Sequence, residues 1–303
     1  VTLSGEADYS QKTMVDYSSG EITTAEAAEL IRAVDAAFRT DEILFYPGIS
    51  YRHCMIWHQG PVGLNLTPPH DISDRKITEY LPQNPVILDL MKRSYEILKD
   101  HPVNRDRIAR GLNPANSIWL WGEGTRPGVT GFEAAYGVKA SVISAVDLIK
   151  GIGLCAGMKV IEVEGATGNI DTNFKGKGEA ALKTLLDGQD LVYIHVEAPD
   201  ECGHHGDLEG KIQAIERIDQ DIVGPLLKGL EEAGEDYSIL VMPDHPTPIS
   251  IKTHISDPIP YLLYCSTDVT DSGIDTYTEK TGESTGVYVE PGYLLMQQLL
   301  KNK

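Results

Sequence analysis

The 303-residue sequence has few cysteines and contains neither a long apolar run nor a run of basic residues. Its four cysteines are far apart and form no CxxC pair, which argues against a zinc ribbon or a disulfide scaffold and favours a reducing, cytoplasmic setting. No apolar stretch approaches the roughly 20 residues that a membrane-spanning helix needs, and the first residues lack a signal-peptide pattern. The formal net charge is −19, so we expect no nucleic-acid partner, and the lack of a long apolar run leads us to expect no membrane partner.

The overall composition is that of an ordinary globular protein with a buried core. Hydrophobic residues make up 41% and charged residues 23% of the chain, and the length favours two domains. A capping-box pattern at Thr23–Glu26 predicts a helix that begins there, and Asn84-Pro85 predicts the start of another. Short strands are predicted at residues 43–46 and 54–57, separated by a Pro-Gly turn. The first part of the chain is therefore predicted to be a mixed α/β unit.

Strand and helix patterns alternate regularly from about Tyr136 onward. Such alternation predicts a mostly parallel sheet flanked by helices. One long amphipathic helix is predicted around residues 212–226, followed by a strand at 238–242. The Gly- and Pro-rich stretch from Glu123 to Gly131 is the predicted boundary. We therefore expect two domains, residues 1–127 and residues 128–303.

Histidines and aspartates are concentrated where two predicted strands end. Five of the nine histidines lie between residues 195 and 254. One strand ends at Asp200, with His204 four residues on, and the next ends at Asp244-His245. Ligands of an open parallel sheet bind beyond the carboxyl ends of its strands, so these side chains are predicted to meet at one edge.

His254, just before another β-rich stretch, completes a set of candidate ligands on three segments. Mixed carboxylate and imidazole ligands favour Mn, Fe, Co or Zn over Ca or Mg. A set of this size suits two ions of the kind that serve phosphoryl transfer. His195 is predicted to have a structural role within its strand, whereas His205 could be either a ligand or a surface residue.

Nine motifs are spread over nearly the whole chain: VDYSSGEITTAEAAEL, YPGISYRH, TPPHDI, HPVNRDR, PANSIWLWG, GVKASVISAVDLIKGIG, EGATGNIDTNFKGKGEAAL, APDECGHHGD and PDHPTPISIKTHISDPIPYLL. Together they resemble the archaeal-type, cofactor-independent phosphoglycerate mutase family of the alkaline-phosphatase superfamily. The resemblance implies an alkaline-phosphatase-like α/β core that carries a separate α/β cap domain. It also implies that no 2,3-bisphosphoglycerate is needed as cofactor.

The resemblance assigns metal ligands and substrate-binding residues to this sequence. Asp200, His204 and His254 would bind one divalent ion, while Asp244 and His245 would bind the other, with Mn²⁺ as the expected metal. The cap would correspond to residues 1–127 and would cover a small phosphorylated acid. The residues expected to contact that substrate are Arg52, His70, Asp71, Arg126 and, in the returning core, Lys139.

The family's serine nucleophile and a further metal-binding aspartate lie in a segment ahead of the region that Val1 begins. We therefore name no nucleophile, and we expect the intact protein to be active and this chain alone to be inactive. Cys202 and His205 depart from the family pattern beside the expected ligands. Cys202 is predicted to be a neutral buried thiol, with coordination of a soft metal as the alternative.

The expected activity is interconversion of 2-phosphoglycerate and 3-phosphoglycerate through a phosphoserine intermediate, a step of glycolysis and gluconeogenesis. The first alternative is a phosphatase or phosphonate hydrolase of the same superfamily, in which water accepts the phosphoryl group. The second alternative is a non-catalytic metal- or metabolite-binding protein. The sequence does not indicate an oligomeric state.

Overall fold

The computed structural model describes residues 1–301, so the last two residues of the predicted region 128–303 lie outside the described part. The chain folds as two compact units, Val1–Pro127 and Gly128–Lys303. Among the described residues, no helix is both long and apolar enough to cross a membrane.

The first unit packs three helices and two hairpin-like strand pairs around one apolar core. The core contains the fully buried side chains of Met14, Val34 and Met91. Strands β1 and β2 pair antiparallel, as do β3 and β4. The elements in chain order are β1 (Thr2–Leu3), β2 (Met14–Asp16), α1 (Thr24–Phe38), β3 (Ile43–Pro47), β4 (His53–Trp57), α2 (Pro85–Leu98) and α3 (Pro102–Ala109).

The helix starts predicted in this unit are confirmed because they depend on local capping. Thr23 Oγ1 accepts the Glu26 N–H at 3.3 Å, and a Glu26 carboxylate oxygen accepts the Thr23 N–H at 3.4 Å. The Asn84 side chain accepts the Val86 N–H at 3.0 Å at the start of α2. Glu26 also pairs with the buried Arg107 at 2.7 Å, which ties α1 to α3.

The second unit is built on a parallel three-stranded sheet with helices against it, as predicted. The strand order is β6-β5-β7, and the β5–β7 register pairs Ala140 with Leu191 and Ile143 with Ile194. Its elements in chain order are α4 (Phe132–Tyr136), β5 (Ala140–Ile143), α5 (Asp147–Cys155), β6 (Lys159–Val160), α6 (Phe174–Leu186), β7 (Leu191–Ile194), α7 (Ala198–His205), α8 (Leu208–Arg217), α9 (Gly224–Ala233), β8 (Ser238–Val241), β9 (Leu262–Cys265), α10 (Glu279–Ser284) and α11 (Leu295–Leu299).

The partner of β8 differs from the prediction. The strand–helix alternation predicts β7 and β8 in one open parallel sheet, but β8 pairs antiparallel with β9 in a separate ladder, from Ser238–Cys265 to Val241–Leu262. After β8 the chain reverses direction and forms β9. The main-chain N–H and C=O groups of β8 therefore pair with residues that come later in the sequence. The carboxyl ends of β7 and β8 nevertheless lie near each other: burial raises the pKa of Tyr193 in β7, and the charge of Asp244, three residues after β8, acts in the same direction.

The single long helix predicted around residues 212–226 is interrupted. The π-helical segment Ile218–Val223 separates α8 from α9. Pro225 has no N–H to donate to the carbonyl four residues earlier, and Gly224 N–H bonds to Asp219 O, a five-residue step. Gly178 of α6 packs against this segment, and a Cβ there would lie only 2.8 Å from Asp221 O.

Candidate metal centre

Helix α7 carries two of the candidate ligands on one face. It begins four residues after β7 ends, and Asp200 and His204 are one turn apart on it. Asp200 Oδ2 lies 3.3 Å from His204 Nε2. The helix therefore points a carboxylate and an imidazole to the same place.

The segment between β8 and β9 brings the remaining candidates to these two side chains. His254 Nε2 lies 3.0 Å from His204 Nε2 and 3.3 Å from Asp200 Oδ1. The His245 and His254 ring centroids are 3.9 Å apart, and His245 Nε2 lies 3.6 Å from Asp244 Oδ2. We call these five side chains, Asp200, His204, Asp244, His245 and His254, the Asp–His cluster.

The hydrogen bonds of His204 indicate which ring nitrogen faces the centre of the cluster. His204 Nδ1 lies 3.0 Å from the Lys252 carbonyl oxygen, which can only accept, so Nδ1 carries the hydrogen. In the neutral ring, Nε2 then holds a lone pair directed at His254 Nε2. Two imidazole nitrogens at this separation need a cation or a shared proton between them.

The donor set of the cluster fits a transition-metal ion. Asp200, His245 and His254 each offer a ligand atom within 4.8 Å of the others, and carboxylate with imidazole suits Mn, Fe, Co or Zn. The side chains of Asp200, His204 and His254 are 26%, 33% and 52% exposed. A site that stays open on one side resembles a catalytic rather than a closed structural centre.

His195 lies beside the cluster and has hydrogen-bond partners in the fold. Its Nδ1 is 3.3 Å from Ser144 Oγ at the end of β5. Burial lowers the pKa of His195, the charge of Lys177 acts in the same direction, and the carboxylates of Asp244 and Asp200 oppose them. The carboxylates of the cluster therefore affect the pKa of His195, although this side chain lies inside the fold.

Lys177 is a buried cation next to this region that sequence analysis missed. Its side chain is fully buried, and its ammonium group donates to the His195 carbonyl oxygen at 3.2 Å. Burial lowers the pKa of Lys177 to about 8, and the charge of Glu197 opposes that shift. Helical spacing was the available signal, because Lys177 lies three residues after Phe174 and four before Ala181, both fully buried.

We expect the stability of the chain to rise with pH above 8 because of Lys177. Its folded-state pKa of about 8 lies below the unfolded value of 10.5, so the unfolded chain binds more protons between these two values. The cost of the buried charge, up to about 3 kcal/mol, is fully present below pH 8 and is relieved as pH rises toward 10.5. Lys177→Met should remove this dependence.

Urea denaturation at pH 7.5 and pH 9.5 measures this effect. The matched control is Lys175→Met, which removes a lysine whose side chain is 75% exposed on the same helix and should keep the wild-type pH dependence. If the free energy of unfolding of Lys177→Met rises between pH 7.5 and pH 9.5 as much as that of the wild type, then the buried charge of Lys177 does not destabilise the fold.

Three other residues singled out in the sequence lie away from the centre of the cluster. Cys202 is buried, with 5% exposure, and burial raises the pKa of its thiol, which agrees with a neutral buried group. His205 is exposed at the last position of α7. Lys139 precedes β5, and its main-chain N–H bonds to Asp190 before β7. It therefore sits at the amino edge of the sheet, opposite the edge from which α7 starts, and is not brought to the cluster.

In the first unit, three of the predicted substrate-binding residues lie along one group of aromatic side chains, in which Tyr17 and Tyr51 are in edge contact with ring centroids 5.6 Å apart. The Arg52 guanidinium stacks 4.9 Å from a ring centroid, and the His70 ring lies 5.3 Å and 6.0 Å from two others. His70 Nε2 is 3.8 Å from Asp71 Oδ1. The aromatic residues that join them are Tyr51, Trp121 and Tyr17.

Arg126 is exposed near the end of the first unit. Among residues 1–301, no hydrogen bond, ion pair or cation–π contact joins it to Arg52 or His70, so the structure brings together three of the four predicted residues of this unit.

The parallel α/β unit and its cluster of carboxylate and imidazole groups are the features expected of a metalloenzyme. Residues 24–287 match the Metalloenzyme superfamily. A solved protein from Pyrococcus horikoshii superposes on 96% of this chain and 73% of its own, with a TM-score of 0.70 at 24% identity, which shows the same fold.

Relatives of known name place the chain more narrowly. A probable 2,3-bisphosphoglycerate-independent phosphoglycerate mutase of Geobacter sulfurreducens is 49% identical over 95% of this chain and 72% of its own length. A 2,3-bisphosphoglycerate-independent phosphoglycerate mutase of Methanosarcina barkeri is 52% identical over 85% of this chain and 65% of its own. The chain belongs to the family of 2,3-bisphosphoglycerate-independent phosphoglycerate mutases, and the family resemblance read from its motifs is confirmed.

Proposed function

We propose that the full-length gene product interconverts 2-phosphoglycerate and 3-phosphoglycerate through a phosphoserine intermediate, without 2,3-bisphosphoglycerate. The observation that carries this proposal is the Asp–His cluster, in which His204 Nε2, His254 Nε2 and Asp200 lie within 3.3 Å of one another. Two relatives named as mutases of this family are 49% and 52% identical to this chain over the aligned residues.

In this proposal the cluster holds two divalent ions, with Mn²⁺ as the native metal and Zn²⁺, Co²⁺ or Fe²⁺ as substitutes. Asp200, His204 and His254 hold one ion, and Asp244 and His245 hold the other. The bound ions would ionise the nucleophile and neutralise charge on the transferring phosphoryl group. The histidines supply neutral nitrogen ligands, and the carboxylates offset the charge of the metal.

The first unit acts in this proposal as a cap that binds the anionic groups of the substrate and excludes water. Arg52 and Arg126 bind carboxylate or phosphate oxygens, because a planar guanidinium can bond two oxygens at once. His70 and Asp71 bind the hydroxyl groups of glycerate. Retention of glycerate distinguishes a mutase from a hydrolase, since both use the same metal chemistry.

Phosphorus NMR of the full-length gene product with Mn²⁺ and 3-phosphoglycerate tests the proposal. We expect the signal of 2-phosphoglycerate to grow to an equilibrium ratio without added 2,3-bisphosphoglycerate. Accumulation of inorganic phosphate instead would identify the hydrolase alternative, in which water is the acceptor. Binding of Mn²⁺ without any conversion would support the non-catalytic alternative.

A further inference from the structure

The side chain of Thr247 connects two members of the Asp–His cluster that come from different segments. Its hydroxyl oxygen lies 2.5 Å from Asp200 Oδ1 on α7 and 3.3 Å from His245 Nδ1 after β8. Thr247 is only 3% exposed, so water has little access to compete for these bonds. We propose that Thr247 is a positioning residue that orients Asp200 and fixes the ring tautomer of His245 for metal binding, an inference that rests on the proposed metal site.

Counting hydrogens determines the direction of the two bonds. A threonine hydroxyl has one hydrogen to donate, and an ionised carboxylate can only accept. The hydroxyl therefore donates to Asp200, its nearer partner, and its oxygen accepts the hydrogen on His245 Nδ1. In the neutral ring this leaves the lone pair on Nε2, which is the nitrogen on the side of Asp244.

Fixing this tautomer matters for metal affinity. An imidazole whose lone pair is on the wrong nitrogen must move its hydrogen before it can bind, and hydrogen bonds to the second nitrogen prevent this. His204 uses the Lys252 carbonyl in the same way. Thr247 does so for His245 and at the same time restrains one oxygen of Asp200.

Helices α7 and α8 both contact the main chain at Thr247 and hold it in place. Lys211 of α8 donates from its ammonium group to the Thr247 carbonyl oxygen at 2.7 Å. Gly203 of α7 lies directly against it, and a Cβ there would be 2.6 Å from that oxygen. The position of Thr247 is thus fixed relative to α7, the helix that carries Asp200 and His204. Its hydroxyl group can therefore hold the Asp200 carboxylate in one orientation.

Titration of the metal-free chain with Mn²⁺, followed by calorimetry, tests the role of Thr247. Thr247→Val keeps the shape of the side chain and removes the hydroxyl, and we expect it to weaken Mn²⁺ binding about 10- to 100-fold. Thr247→Ser keeps the hydroxyl and should stay within about threefold of wild type. The matched control is Thr184→Val, a buried threonine on α6, which should bind Mn²⁺ as the wild type does.

The ring tautomer provides a second measurement that a purely structural role would not change. Two-bond ¹H–¹⁵N correlation spectra of the metal-free wild type, recorded at alkaline pH, should show the hydrogen of His245 on Nδ1. Thr247→Val should shift this ring toward the Nε2–H form, whereas Thr184→Val should not. Unchanged Mn²⁺ affinity in Thr247→Val, or an unchanged tautomer, would overturn the inference.

Failure of the proposed metal site would give a different pattern. If the wild type binds no Mn²⁺, the proposed function loses its basis, and the tautomer of His245 in wild type and Thr247→Val alone decides the role of Thr247. If the wild type binds Mn²⁺ and Thr247→Val binds it equally well, the metal site stands and the positioning role is wrong.

Discussion

Replacing His254 by alanine in the full-length gene product is expected to lower the kcat of phosphoglycerate interconversion on the order of 10³-fold. His254 lies 3.0 Å from His204 Nε2 and 3.3 Å from Asp200, so its loss opens the proposed metal site on the side of these two ligands. Metal charge stabilises the transition state more than the ground state, so the effect should appear in kcat. Excess Mn²⁺ should restore part of the lost rate.

Arg52→Ala is the informative comparison, because Arg52 would bind substrate and transition state alike. In the Arg52→Ala variant we expect the KM for phosphoglycerate to rise about tenfold, the effect of losing one charged hydrogen bond. We expect kcat to change little. His205→Ala, the next residue along α7 from His204, removes an exposed histidine and serves as the matched control with wild-type kcat. Steady-state rates across a Mn²⁺ titration measure all three, and an unchanged kcat in His254→Ala would remove this histidine from the site.

Saturating the chain with Mn²⁺ is expected to raise the melting temperature of the second unit by roughly 5–10 °C. A ligand present at 100 times its Kd adds about 2.7 kcal/mol to the stability of the state that binds it. For a domain of this size each kcal/mol raises Tm by about 2–4 °C. Asp200→Asn should abolish most of the increase, because the amide is a weaker ligand and carries no charge to offset the metal.

Differential scanning calorimetry with and without Mn²⁺ measures this effect. Asp187→Asn makes the same substitution at a carboxylate that is 61% exposed at the end of α6, and it should keep the full Mn²⁺-dependent increase. If Asp200→Asn is stabilised by Mn²⁺ as much as the wild type is, then Asp200 is not a ligand of the ion that stabilises the fold.

Features that depend on neighbouring residues could be predicted from the sequence. The start of α1 follows from Thr23 and Glu26, three residues apart, and the start of α2 follows from Asn84. The members of the Asp–His cluster could be named because aspartate and histidine were concentrated after strand-like runs. The residue types of these side chains predicted metal binding, and the fold brings the side chains together.

Features set by distant parts of the chain could not be predicted in the same way. The antiparallel pairing of β8 with β9 requires the chain to reverse direction within residues 242–261, which no local pattern indicated. The break in the long helix had a signal in Gly224-Pro225, since proline cannot donate the expected bond. Thr247 gave no such signal, because its role depends on contacts with Asp200 and Lys211, both more than 30 residues away in sequence.

Anomalous X-ray diffraction from crystals of the chain grown with Mn²⁺ tests the central claim most directly. We expect an anomalous peak about 2.0–2.3 Å from His204 Nε2, His254 Nε2 and an oxygen of Asp200, distances usual for nitrogen and oxygen ligands of such ions, and a second peak bound by Asp244 and His245. If crystals grown at saturating Mn²⁺ show no anomalous peak within bonding distance of these side chains, the proposed two-metal site is wrong.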